Sequence, residues 1–335
     1  MSRIAALVAA LVTSVSMLAS GLAKADPAYT FQVGAAVEDI TPDAMPCALY
    51  PGPCFPDDKG LWLGGYGLGA AGRQSNGVVD HRISARAMVI SNDAGDTLAF
   101  AINETQGMFA AYQQGPYGLD DARRQINIQT GIPMNHIVLG SDHSHASVDT
   151  TFVWGGVPDN YLKFIHDQII KAVVAAYNNK VPATISVGTA DDPSYGGDPL
   201  GIPGMPDQDY VDKTIRVLQA KRVSTDPQLN GNAVVTFIEA PFHPTSYGSS
   251  HSSTDTSSLD SDWPGRVADW AASTQGGLGI GWEGDIGRQG SNGGEGRIET
   301  AAQTALSDTM APITDGTIEG RVQLMTEEIT NPVYI

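Results

Sequence analysis

At 335 residues the chain has room for one large domain or two ordinary ones, with enough apolar residues for a sizeable core. A formal net charge of −18 excludes a nucleic-acid partner, because phosphate binding needs clustered Lys and Arg. It also disfavours electrostatic attachment to anionic lipid while leaving a neutral lipid open, and the 38 glycines and 20 prolines argue for many loops rather than a helical bundle.

Arg3 opens a stretch, 4–22, that is nearly all apolar or small, and Ala23-Lys24-Ala25 fits a small-x-small cleavage pattern before Asp26. Thr13, Ser14 and Ser16 interrupt the apolar run, which favours a removable signal peptide over residues 1–25 against a retained anchor. The mature protein is therefore expected to be secreted or periplasmic. No later segment approaches the ~20 apolar residues that span a bilayer. Cys47 and Cys54 are the two cysteines, inside PCALYPGPC. In an oxidising compartment they would close a short, proline-stiffened loop. A thiol pair on a metal is the other reading, but neither has a close His or a second Cys pair.

Further along, strands and helices alternate. VGAAVEDIT (33–41), ISARAMVIS (83–91), DTLAFAINE (96–104) and HIVLGSD (136–142) are rich in apolar or β-branched residues and bounded by turn formers. The segments 183–191, 212–223 and 233–242 read the same way, and Asn92-Asp93-Ala94-Gly95 reads as a hairpin turn. Helices fit at about 118–130, 158–179, 263–274 and 296–310. In the second of these, Leu162, Ile165, Ile169, Ile170, Val173 and Ala176 recur at helical spacing. The pattern predicts an α/β fold: a mixed, largely buried sheet with flanking helices and long Gly/Pro/Ser-rich loops.

Two histidine segments carry the chemistry. LGSDHSHAS (139–147) runs from an apolar strand into Asp142, His143, Ser144 and His145. Residues two apart on a strand point the same way, so His143 and His145 would share one pocket, outside a strand's carboxyl end where α/β proteins bind ligands. Two surface histidines at a loop start are the bland alternative. In APFHPTSYGSSHSS (240–253), His243 again ends an apolar strand, with Pro244 stopping the pairing, while His251 lies in a Ser-rich loop. Together His143, His145 and His243 suit a zinc centre, since neutral imidazole is a common zinc ligand. The glycine-rich stretch 279–296 lacks the Gly-Lys-Ser/Thr ending of a phosphate loop. Within it Asp285 would orient a histidine or bind metal, or the stretch is a plain glycine loop. No G-x-S-x-G elbow occurs, which removes the usual serine-hydrolase reading. His81, His136 and His166 read as structural.

Taken in order, VGAAVEDITP (33–42), LGGYG (63–67), the RISARAMVI strand, DHSHAS and FHPTSYGSSHSSTDTSSLDSDWPG resemble the neutral, non-lysosomal ceramidases. The resemblance implies a catalytic domain over 26–335 that is part of a longer enzyme. It implies an extracellular zinc amidase that cleaves N-acylsphingosine (ceramide) to sphingosine and a fatty acid. In that family's terms His143 and His243 would bind the metal, and His145 would sit beside it and hydrogen-bond substrate or water. Three departures stand out. Gly287 occupies the position of the family's active-site serine; Asp191 and Asp192 replace its arginine segment; and Glu327 and Tyr334 do not align with its remaining Glu and Tyr ligands. Either further ligands lie beyond this sequence, or a local carboxylate such as Asp142 or Asp285 completes the site. An amidase or esterase for another acyl substrate, and a non-catalytic lipid binder, are the alternative readings.

Overall fold

Every residue of the strand Ser84–Ser91 is buried, which a sheet covered on one face cannot produce. Its odd-numbered Ala85, Ala87 and Val89 belong to one core cluster, while its even-numbered Met88 and Ile90 belong to another. The computed structural model, which describes residues 27–55, 60–65, 73–192, 212–247, 257–284 and 294–320, explains this double burial.

In chain order the strands are β1 (Thr30–Asp39), β2 (Trp62–Leu63), β3 (Arg73–Gln74), β4 (Ser84–Ser91), β5 (Thr97–Asn103) and β6 (Ile137–Ser141). They continue with β7 (Val181–Asp191), β8 (Thr214–Arg222), β9 (Ala233–Ala240), β10 (Leu278–Glu283) and β11 (Ala311–Pro312). The helices are α1 (Leu119–Thr130), α2 (Asp159–Asn178), α3 (Asp262–Gln275) and α4 (Glu295–Asp308). Nine strands form one sheet in the order β10-β9-β8-β7-β1-β4-β5-β6, with β11 added against β7. The pairs β5/β6 and β9/β10 are parallel and the other pairings antiparallel. β2 and β3 make a separate ribbon.

This sheet curls back on itself. Phe100 of β5 packs edge-on against Phe237 of β9, with ring centroids 5.1 Å apart, although four strands separate β5 from β9 in the sheet order. Trp282 of β10 lies 4.8 Å from the same Phe100 ring. Between the two halves lies a core of Phe31, Val33, Met88, Ile90, Ile102, Ile185, Val235 and Ile280. The outer face of the first half carries α1 and α2, and the outer face of the second carries α3 and α4. The result is four layers, helix–sheet–sheet–helix.

Helix α2 shows how the sequence writes this arrangement. The six apolar positions that recur at helical spacing are all buried, each worth roughly 1.5–3 kcal/mol against exposure for the larger side chains. Asp159 in its first turn favours the positive end of the helix dipole. On α3, Trp263 is fully buried and its indole N–H donates to the Phe242 carbonyl, which ties the helix start to the chain just after β9. Cys47 and Cys54 are joined by a disulfide with Cα atoms 5.6 Å apart, the bridge expected to close the PCALYPGPC loop. Among the described residues no helix is long and apolar enough to cross a membrane.

Candidate metal centre

Both parallel pairs end at the same rim. Beyond the carboxyl end of β6 lie His143 and His145, and beyond that of β9 lies His243. The curl of the sheet brings these two ends together, and the His145 N–H donates to the Pro244 carbonyl at 3.1 Å. The expectation that strand alternation aligns His143 with His145 needs correcting. β6 stops at Ser141, so both residues belong to the loop, and His143 adopts φ +58°, in the left-handed region. That conformation costs a residue with a β-carbon roughly 1–3 kcal/mol and persists where surrounding contacts impose it. The turn, rather than a strand period, folds the two rings toward each other.

Their ring nitrogens converge. His145 Nε2 lies 3.2 Å from His143 Nε2 and 2.8 Å from His243 Nε2. One nitrogen from each of the three rings falls within 4.8 Å of the others. Among the described residues this is the one group of three or more His, Cys, Asp or Glu side chains close enough to share a metal ion. His143 Nδ1 sits 2.8 Å from the Gln106 carbonyl oxygen, so Nδ1 carries the proton and donates it. Nε2 is thereby left with a free lone pair facing the other rings, the usual outer-sphere device that fixes a ligand's tautomer.

The surroundings disfavour the charged form of His143 and His145. Burial, reinforced by His243, His143 and Arg73, lowers His145 to about 2. Burial also lowers His143; the Gln106 carbonyl opposes the shift and His243 adds to it. Arg73 donates to the His145 carbonyl at 2.6 Å and to the Gly64 carbonyl at 3.2 Å, bracing the loop through its backbone. Gly65, at φ +88°, lies flat against the His145 ring; a β-carbon there would sit 2.2 Å from His145 Cγ. The glycines of the LGG segment are therefore spacing elements of this site. Three imidazoles with one nitrogen each converging on a point fit a borderline divalent ion such as zinc.

Asp142 is fully buried, and burial, together with Glu104 and Glu283, raises its carboxyl well above the usual range. It accepts the Ser144 N–H at 3.1 Å and does not join the ring-nitrogen cluster, so it is not the local carboxylate that completes the ligand set. Asp285 lies outside the described residues, as do Gly287, His251, Glu327 and Tyr334. Asp192, where the resemblance leads one to expect an arginine segment, is buried and ion-paired with Arg297. None of the three histidines expected to be structural joins the ring cluster. His81 bridges Ser261 and Asp269, His136 Nδ1 meets the Thr97 carbonyl, and His166 Nδ1 meets Asp167.

Behind the histidines lies a polar layer that sequence reading did not single out. Glu104 receives the Ser84 N–H and pairs with Arg86 at 2.6 Å, and Arg86 reaches on to Asp269 at 2.7 Å. Both members of the Arg86–Glu104 pair are buried. Ser147 Oγ donates to the Glu104 carbonyl, so this layer also anchors the far end of the DHSHAS loop.

No family model and no curated protein matches the sequence. Solved structures do. One is a ceramidase complexed with C2, aligned over 84% of this chain and 44% of that one, with a TM-score of 0.59 and 14% identity. Another is the neutral ceramidase from Pseudomonas aeruginosa, aligned over 84% of this chain and 45% of that one, with a TM-score of 0.60 and 17% identity. At such identity the likeness concerns the fold: the curled α/β architecture is shared with neutral ceramidases, as the sequence motifs led one to expect. The chain spans less than half the length of the ceramidases it matches.

Proposed function

We propose that the chain is a zinc-dependent amide hydrolase that cleaves N-acylsphingosine to sphingosine and a fatty acid. The observation that carries this reading is the convergence of the His143, His145 and His243 ring nitrogens at one rim of a fold shared with neutral ceramidases. His143 and His243 hold the ion through Nε2, supplied from the two halves of the curled sheet. When bound, zinc makes hydroxide available near neutral pH and polarises an amide carbonyl.

The chain's own part is orientation. The Gln106 carbonyl keeps the proton of His143 on Nδ1, so that its Nε2 is always free to bind. Pro244 and Arg73 fix the backbone of His145, whose Nε2 lies against both other rings. His145 resists protonation strongly, which suits a neutral hydrogen-bond partner for substrate or water beside the ion. Secretion or a periplasmic location accompanies the proposal, on the strength of the leader at 1–25 and the Cys47–Cys54 bridge.

A second reading keeps the metal and changes the acyl substrate. It is favoured by Asp192, whose buried pairing with Arg297 fills a position where ceramidases are expected to present a cation. Mass spectrometry of products from N-acylsphingosine, simple N-acyl amides and acyl esters separates the two. Release of sphingosine by the wild-type chain, lost in His143→Ala and His243→Ala, supports ceramide. Turnover of the simple amides or esters alone selects the second reading.

A further inference from the structure

The two histidine loops are not held by each other alone. The segment 257–262 runs between them and bonds to both. On one side, Ser144, the residue between His143 and His145, donates its Oγ proton to the Ser261 carbonyl at 2.7 Å, and the Asp260 N–H donates to the Ala146 carbonyl at 3.0 Å. On the other side, the Asp262 carboxylate accepts the Ser246 N–H on Oδ1 at 3.0 Å and the Tyr247 N–H on Oδ2 at 3.1 Å. Those amides belong to the chain that leaves His243. Oδ1 also takes the Trp263 N–H at 2.7 Å, at the start of α3.

Asp262 is built for this junction at visible cost. It is fully buried and adopts φ +56°, so it shares with His143 a left-handed backbone that non-glycine residues avoid. Its own N–H donates to Asp260 Oδ1 at 2.8 Å, and Asp260 is in turn pinned by Arg266 of α3. Arg266 also covers the face of Tyr247 at 3.9 Å. The segment is thus anchored on a helix and reaches both loops through bonds of 2.7 to 3.1 Å. A helix needs only one capping contact at its start; two further bonds to a loop from another strand are not explained by capping.

We infer that Asp262 is a positioning residue for the metal centre: with the Ser261 carbonyl it clasps the His143–His145 and His243 loops to α3 and sets the separation of their ring nitrogens. This rests on the metal-binding reading above. The Asp262→Asn variant is informative because the amide oxygen still accepts from Trp263 and Ser246, whereas its NH2 faces the Tyr247 N–H and cannot accept. The helix start and the Ser246 bond are kept, and the Tyr247 bond is lost.

The test uses the full chain, stripped of metal and titrated with cobalt(II) against a chromophoric chelator, reading both affinity and the visible absorption of the bound ion. Asp262→Asn is expected to weaken cobalt binding by about tenfold, the lower end of the loss seen when a group bonded directly to a metal ligand is removed, because Asp262 acts through the backbone. Ala271→Gly, a buried helix change on α3 away from the loops, is expected to lower stability yet leave cobalt affinity and spectrum unaltered. The clasp is overturned if Asp262→Asn binds cobalt as wild type does, or if both variants weaken it equally. Should Asp262→Asn not fold, Ser144→Ala cuts the opposite strap and leaves α3 intact; it is expected to weaken cobalt by about tenfold, and unchanged binding overturns the clasp. A wild-type chain that takes up no cobalt overturns the metal reading itself, a result distinct from wild-type binding that the Asn variant retains.

Discussion

Acid should destabilise the metal-free chain in part through one histidine. In the unfolded chain His145 titrates near 6.5, whereas in the folded chain burial and the neighbouring imidazoles lower it to about 2. The folded value lies below the unfolded one, so its stability contribution is complete above about pH 6.5 and drains away as pH falls toward the folded value. Each unit costs about 1.4 kcal/mol, so between pH 6.5 and 4.5 the loss amounts to about 3 kcal/mol. His145→Asn, which cannot take up a proton in this range, removes that component. Urea unfolding of both proteins at about pH 7.5 and 4.5, without metal, reads the difference directly. The wild type is expected to lose about 3 kcal/mol more than the variant over this interval. Equal losses would show that His145 is not held neutral among the other two rings in the folded chain, and the reasoning about the centre would fail with it.

Trp263→Ala, at a fully buried position on α3, is expected to cost about 3–5 kcal/mol in the same urea assay, because it empties a core site and removes the indole bond to the Phe242 carbonyl. Arg86→Met leaves Glu104 buried without its cation and is expected to cost a further about 3–5 kcal/mol, visible as a fall in Tm near neutral pH. Burial raises Asp262 to about 7, against the opposing N–H groups of Trp263, Tyr247 and Ser246. A raised carboxylate contributes stability below its unfolded value near 4 and loses it as pH rises through 7. The Tm of Asp262→Asn relative to wild type should therefore climb between about pH 4 and 8, by the equivalent of at most about 4 kcal/mol; a flat difference would remove the burial argument.

Much of the fold was legible in the sequence, and the physical reason is local. In β4 and β5 apolar residues run without long interruption between polar turns, and the hairpin at 92–95 joins them where predicted. The period of α2 was written in six apolar positions that all proved buried. The curl of the sheet was not legible, because it depends on Phe100 meeting Phe237 and Trp282 across more than a hundred residues, and no local period records such a contact. At the site, spacing drew attention to His143 and His145, but for a strand reason that the structure replaces with a left-handed turn. Gln106 acts mainly through its backbone carbonyl, which any residue possesses, so no side-chain signal announced it. Gly65 and Asp262 lay inside motifs already noted, LGGYG and the DSDWPG end of the His243 segment; a glycine beside an aromatic ring and an aspartate at a helix start look ordinary until the partners are known.

The most direct test of the account is turnover of a fluorogenic N-acylsphingosine by the purified chain, first stripped of metal and then given increasing zinc. Activity is predicted to be absent from the stripped protein, to return with one equivalent of zinc, and to stay absent at every zinc level in His243→Ala. Full turnover by the stripped protein, undiminished in His243→Ala, would contradict it.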